Sequence, residues 1–198
     1  MIEDQLQEVV QEILGEVACV SAAIKGMLQE LSCAVDIIAE RIDEGGCLIL
    51  LGNGGSAAQA QHLAAEFVGR FQSDRRPLPA IALTTDTSAL TAIGNDYGFE
   101  EIFARQLRAL GRPGDVALAI STSGDSTNVL RALDVARERN IRAIGLTGRN
   151  GGQVRERVDL CLCAPSDSTP RIQEAHLVIC HILCRLIESS VLPGESRD

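Results

Sequence analysis

The chain has 198 residues, 45% of them apolar and 23% charged, with a formal net charge of −9. That length suits one folded unit with a continuous core, and the acidic balance supplies no basic face for a nucleic-acid partner. With four Phe, one Tyr and no Trp, the core has to be built from Leu, Ile, Val and Ala, which suits helices on a parallel sheet better than a β-sandwich.

At the N-terminus, Ile2, Leu6, Val9, Ile13 and Val17 recur at helical spacing and predict a helix over 2–18. Ile24, Leu28, Leu31, Val35, Ile38 and Ile42 predict a second over 21–44, stopped by Gly45-Gly46. The opening Met1-Ile2-Glu3-Asp4 lacks the basic region of a signal peptide, and no apolar stretch is expected to approach membrane-spanning length. The apolar stripes of this helical preface (1–45) serve either the core or contact between subunits.

The pattern then changes. Cys47–Leu51, Ala80–Leu83, Val116–Ile120, Ile141–Leu146 and Val158–Cys163 are short apolar runs, separated by helical stretches at roughly 56–70, 99–110, 126–139 and 170–190. Strands alternating with helices predict an α/β fold with a five-stranded, parallel, doubly wound sheet over 46–190, preceded by the two N-terminal helices in a single domain (1–198). The polar tail from Pro193 is expected to fray.

Seven cysteines, an odd number, read as reduced thiols of a cytoplasmic protein. Cys161 and Cys163 fall in the last predicted strand and are expected on opposite faces, unable to share a metal. Cys180 and Cys184, four apart in the last helix, are expected in the core.

In doubly wound sheets ligands sit at the carboxyl ends of the strands. The first such loop, Gly52-Asn53-Gly54-Gly55-Ser56, is a tight strand–helix turn with Ser56 as a good N-cap. It is neither a Gly-Lys-Ser phosphate loop nor a GxGxxG fingerprint, so nucleotide binding is not supported. The second, Ser121-Thr122-Ser123-Gly124-Asp125-Ser126, crowds four hydroxyls where a strand leads into a helix. Capping needs one hydroxyl; four beside free helix N–H groups make a neutral phosphate cradle. On the helix after Gly55, His62 and Glu66 share a face among Leu63, Ala64, Ala65 and Phe67, which predicts a largely buried helix. On the last helix, His176 and His181 are about 140° apart, and spacing from Gln173 does not choose between them.

GNGGS, QHLAAE, AIGNDYGF, ISTSGDS, LTGRNGG and RIQEAHLVICH, in this order, resemble the sugar isomerase (SIS) domain family, and within it the branch acting on a heptose phosphate. The resemblance runs from about Gly15 to about Glu188. It implies an aldose–ketose isomerase that converts sedoheptulose 7-phosphate to D-glycero-D-manno-heptose 7-phosphate through an enediol. It also implies a homotetramer with sites between subunits, one zinc ion per subunit, a small-molecule sugar phosphate as partner, and neither nucleic acid nor membrane. By resemblance the zinc ligands fall on His62, Glu66, Gln173 and His181, and the acid–base residues are Glu66 and His181. Substrate contacts fall on Asn53, Gly54, Gly55, Ser56, Glu66, Asn95, Asp96, Ser121, Thr122, Ser123, Ser126 and Gln173. Pro170 stands where many relatives carry Asp, so that carboxylate has no counterpart here. A non-catalytic SIS-fold protein that binds the bacterial replication initiator is the alternative; such a protein lacks the Glu and final His that this chain has at 66 and 181.

Overall fold

The computed structural model describes residues 2–191. Its elements in chain order are α1 (Ile2–Ala23), α2 (Leu28–Asp43), β1 (Leu48–Gly52), α3 (Gly55–Val68), β2 (Ala80–Ala82), α4 (Thr87–Tyr97), α5 (Ile102–Leu110), β3 (Val116–Ser121), α6 (Thr127–Glu138), β4 (Arg142–Gly148), β5 (Leu160–Ala164) and α7 (Thr169–Val191). A 3-10 turn at Ile24–Met27 joins α1 to α2, and others lie at Phe99–Glu101 and Gly152–Glu156.

All five strands are parallel, in the order β2-β1-β3-β4-β5. The order reverses between β1 and β3, which is the switch point where such sheets open a ligand crevice. Alternate residues of each strand face opposite layers. Leu48, Leu50, Val116, Leu118, Ile120, Ile144 and Leu146 pack against α2, α3 and α7, whereas Ile49, Leu51, Ala117, Ala119 and Ala143 pack against α5 and α6. Both faces are covered, as the unbroken apolar runs of a parallel sheet require.

α4 is absent from the sequence expectation for a physical reason: none of its residues is fully buried, and its apolar stripe is short, Leu90 and Ile93 packing partly buried against the core. The readable signal was its N-cap, Asp86, whose carboxylate accepts from the Ala89 N–H at 2.9 Å. The expectation about membrane-spanning length is also corrected. Gln5–Asp43 is one long helical run whose most apolar window reaches a mean hydropathy of 1.2, enough by length and composition to cross a membrane. Within this chain α2 behaves as a core helix, burying Leu31, Ala34, Val35, Ile38 and Ile42.

Cys161 and Cys163 do not lie on opposite faces. Residues two apart in a strand share a face, and their Sγ atoms are 3.5 Å apart. Cys180 and Cys184 are buried in the core, as expected. The tail from Pro193 lies outside the described residues.

Two buried groups make the fold acid-sensitive. Glu188 is 3% exposed. Burial alone would raise its pKa, but the N–H groups of Gln72, Ser73 and Phe71 and the Arg75 guanidinium together hold it below the usual carboxylate range. Its contribution is present above the ordinary carboxylate pKa and lost as pH falls through the folded value. His176 is fully buried, and that burial pulls its pKa down to about 4 from an ordinary 6.5, partly offset by the Thr147 carbonyl. Between those values the unfolded chain binds a proton that the folded chain refuses, which removes stability on the order of 3 kcal/mol as pH drops. The melting temperature is therefore expected to be level above about pH 7, to fall from about pH 6.5 downward, and to fall further as Glu188 protonates. A melting temperature unchanged between pH 7 and 4.5 would contradict this account.

Candidate active site

The loops after β1 and β3 lie side by side, because Gly52 pairs with Ile120 across the ladder. Ser56, expected as an N-cap, is instead the second residue of α3 and buried; Gly54 holds the cap position without a side-chain bond. Gly55 is required by close approach: a Cβ there would stand 2.3 Å from Gln173 Nε2 of α7. Gln173 is thus held against the glycine loop, and Gln59 Nε2 donates to its carbonyl at 2.6 Å.

In the serine loop, Ser121 Oγ accepts from the Gly124 N–H at 3.2 Å and lies 3.3 Å from Ser126 Oγ. Ser123 Oγ accepts from the Asp125 N–H at 3.2 Å, and the Thr122 carbonyl accepts from the Gly148 N–H at 3.2 Å. Ser126 occupies the N-cap position of α6 yet makes no side-chain bond to the helix backbone, and no acidic residue stands in the first turn. The capping role that competed with the phosphate cradle is therefore unfilled. The positive end of α6, rimmed by hydroxyls, is suited to an anion.

One residue that the sequence reading missed ties the two loops together. Asn128, buried on α6, exchanges two hydrogen bonds of 2.8 Å with Asn53. A hollow of about 390 Å³ lies beside this pair, lined by Asn53, Phe99, Glu100, Ser126, Thr127 and Asn128. Asn128 follows the serine loop directly, so an amide just inside a helix that begins at a ligand loop was the available signal.

Side chains of α3 and α7 converge at a second place. His62 Nε2 lies 3.0 Å from His181 Nε2 and 3.7 Å from Glu66 Oε1. His62 and Glu66 side chains are 42% and 22% exposed. The expectation of a largely buried helix thus holds for Leu63, Ala64 and Phe67 but not for this face. The choice that spacing left open is decided by tertiary contact. His176 points into the core, where its Nε2 lies 2.9 Å from the Thr147 carbonyl and must donate, while His181 faces His62. Phe71 lies against the His181 ring, 5.5 Å between centroids. The loop bearing Phe71 is clamped by Glu188, a second residue that the sequence reading missed.

Asn95 and Asp96 are not drawn into this cluster within the chain. They lie exposed on α4, Asn95 Nδ2 donating to Asp96 Oδ1 at 2.8 Å, with no hydrogen bond to either loop or to α3 or α7 among the described residues. α4 packs on the core through the partly buried Leu90 and Ile93, which leaves Asn95 and Asp96 on its exposed side.

The SIS domain signature matches residues 16–148. A phosphoheptose isomerase of Geotalea daltonii is 54% identical over 192 residues, covering 95% of this chain and 100% of that protein. One from Geobacter sulfurreducens is 60% identical over 158 residues, covering 80% and 84%. The solved structure of the phosphoheptose isomerase of Neisseria gonorrhoeae superimposes with a TM-score of 0.88 at 45% identity, covering 93% of this chain and 99% of that one. Identity of this extent over nearly whole chains, together with the shared sheet and the loops at its switch point, means that the chain belongs to the SIS domain family, among the phosphoheptose isomerases.

Proposed function

We propose that the protein interconverts sedoheptulose 7-phosphate and D-glycero-D-manno-heptose 7-phosphate by proton transfer through an enediol. The observation that carries this reading is the meeting of His62, Glu66 and His181 across the facing helices α3 and α7, in a chain that also has a hydroxyl-rimmed helix start at the switch point and whose relatives are named phosphoheptose isomerases. The hydroxyls of Ser121, Thr122, Ser123 and Ser126 and the Asn53–Ser56 turn hold the phosphate, which positions the sugar. Glu66 takes the proton from C1 while the C2 oxygen gains one, giving the enediol. The C1 hydroxyl then loses its proton and Glu66 returns a proton to C2. His181 shuttles the proton at oxygen, because a neutral imidazole both accepts and donates. Asn95 and Asp96, exposed on α4 a few residues before the Phe99 and Glu100 that line the hollow, add substrate contacts from that helix. The test is turnover of sedoheptulose 7-phosphate by purified protein, with and without zinc. A wild-type chain that neither turns it over nor exchanges its C1 proton would favour the alternative, a binding protein for the replication initiator, which no relative named above supports.

The metal belongs to the same reading. Two imidazole nitrogens 3.0 Å apart and a carboxylate oxygen 3.7 Å from one of them approximate the ~3.3 Å edge of a tetrahedron whose donors lie about 2.0–2.1 Å from zinc. No group of three or more His, Cys, Asp and Glu forms a closed metal cage among the described residues, so the set needs Gln173, whose amide rests against Gly55 in this structure, to turn toward the other three. His62, Glu66, Gln173 and His181 would hold the ion, whose Lewis acidity polarises the substrate carbonyl when bound. Elemental analysis of protein made with zinc supplied is expected to give about one zinc per chain, and none in His62→Ala. A fully active, metal-free wild-type protein would refute the assignment.

Assembly as a homotetramer is supported by α1, whose Ile2, Leu6, Val9, Val10, Ile13 and Leu14 are all exposed in the single chain. The open face at His62 also leaves room for a neighbouring subunit. Seven free thiols support a cytoplasmic location.

Ser121→Ala/Ser126→Ala is expected to weaken substrate binding by roughly 1–3 kcal/mol, since phosphate oxygens lose their partners, and to leave the fold intact. Unchanged KM and kcat in the double variant would remove the phosphate from this loop.

A further inference from the structure

Cys161 and Cys163 lie outside the site described above, side by side on the edge strand β5 and facing the 3-10 turn Gly152–Glu156. Across the ladder Cys161 pairs with Gly145 and Cys163 with Thr147. The glycine leaves room beside the first sulfur, and the threonine brings a hydroxyl to both. Thr147 Oγ1 lies 3.4 Å from Cys161 Sγ and donates to Cys163 Sγ at 3.3 Å. Arg155 Nη1 donates to Cys163 Sγ at 3.8 Å, and the two sulfurs are 3.5 Å apart. Three donors therefore converge on one sulfur that is only partly buried.

The Cys161 S–H holds Cys163 below the usual thiol range against the opposing effect of burial, with Thr147 and Arg155 adding to the pull. Cys161 moves the other way, chiefly through the same hydrogen bond and then through burial. Elsewhere burial works against thiolate formation: it pushes Cys47 up to about 11, with help from Asp115, and Cys180 up to about 12.

We propose that Cys161 and Cys163 form a reversible oxidation site for hydroperoxides. The Cys163 thiolate attacks the terminal peroxide oxygen, the O–O bond breaks, and the alcohol or water leaves after taking up a proton. Cys161 then attacks the resulting sulfenic sulfur. An S–S bond forms, the S–O bond breaks, and water departs with the Cys161 proton. Two thiols are oxidised by two electrons and one hydroperoxide is reduced. Two residues of extended strand span about 6.7 Å between Cα atoms, near the upper limit for a disulfide. The bond is therefore strained and readily reduced, the behaviour of a switch rather than of a staple. β5 has a neighbour on one side only, so it can buckle to close the bond.

The test is treatment of the full-length protein with hydrogen peroxide at pH 7, followed by blocking of free thiols and mapping of the tryptic peptide Val158–Arg171, which holds both cysteines. Cys163 is expected to react at least ~10-fold faster than the exposed Cys19 and Cys33, as a low-pKa thiol should. The product is an internal disulfide that dithiothreitol removes. Cys161→Ser should stop at a sulfenic acid trapped by dimedone on Cys163, and Arg155→Gln should slow alkylation of Cys163 in unoxidised protein. A rate at Cys163 no greater than at Cys19 and Cys33, or oxidation of Cys163 to sulfinic acid with no internal disulfide in the wild type, would overturn the proposal.

Discussion

Glu66→Gln is expected to lower kcat by at least ~10²-fold, the usual scale for losing a positioned acid or base. The amide keeps the shape of the side chain and most of its hydrogen bonding but accepts no proton from carbon. Glu66 projects from α3 one helical turn beyond His62, 3.7 Å from that ring. The same helix starts at the glycine loop against which Gln173 rests. The carboxylate is thus held by a rigid element whose position does not depend on its charge. KM is expected to change less than kcat, because the serine loop is untouched. Metal content must be measured on the same sample, since Glu66 is also a proposed ligand. Lost activity with zinc retained supports the base role, whereas lost zinc would leave the base role unproven and hand the decision to the exchange measurement. Exchange of the C1 proton with solvent deuterium should disappear with turnover. Exchange at the wild-type rate in Glu66→Gln would place the base on another residue.

Gly124→Ala should cost roughly 2–4 kcal/mol of stability, from a left-handed backbone that alanine resists and a clash that cannot relax cheaply. Gly124 has φ +73°, and a Cβ there would stand 2.0 Å from the Gly151 carbonyl oxygen. The opposing atoms are backbone, so no rotamer change relieves the overlap. At this chain length the loss corresponds to a fall in melting temperature of about 5–15 °C. Substrate affinity should fall as well. The Gly124 N–H bonds Ser121 Oγ, and the Gly124 carbonyl accepts from the Val154 N–H at 2.9 Å, so the serine loop is seated on the 148–154 segment. A variant that melts within about 1 °C of wild type with unchanged KM would show that the loop tolerates a shift, and would contradict the close packing described here.

The sequence by itself determined the parallel α/β sheet, because apolar strand runs and helical stripes of different period are local patterns that survive without tertiary context. It also located the glycine loop and the serine loop at the switch point, since glycines and clustered hydroxyls at strand ends are local signals. It did not show α4, which buries no side chain fully and offers only the short stripe of Leu90 and Ile93. Helical spacing could not choose His181 over His176, although the family resemblance did, because both lie on one helix and only the packing of α7 against α3 and β4 sends one to His62 and the other to the Thr147 carbonyl. Spacing did hold the information that places Cys161 and Cys163 on one face, since residues two apart in a strand always share it; only the neighbours Thr147 and Arg155 needed the fold. The partners of Asn128 and Glu188 became legible only in three dimensions, although the place of Asn128 just inside the helix after the serine loop was a local signal. Those partners lie 75 residues and 115–117 residues away in the chain, and a hydrogen bond across such a span exists only once the sheet and helices have brought the segments together.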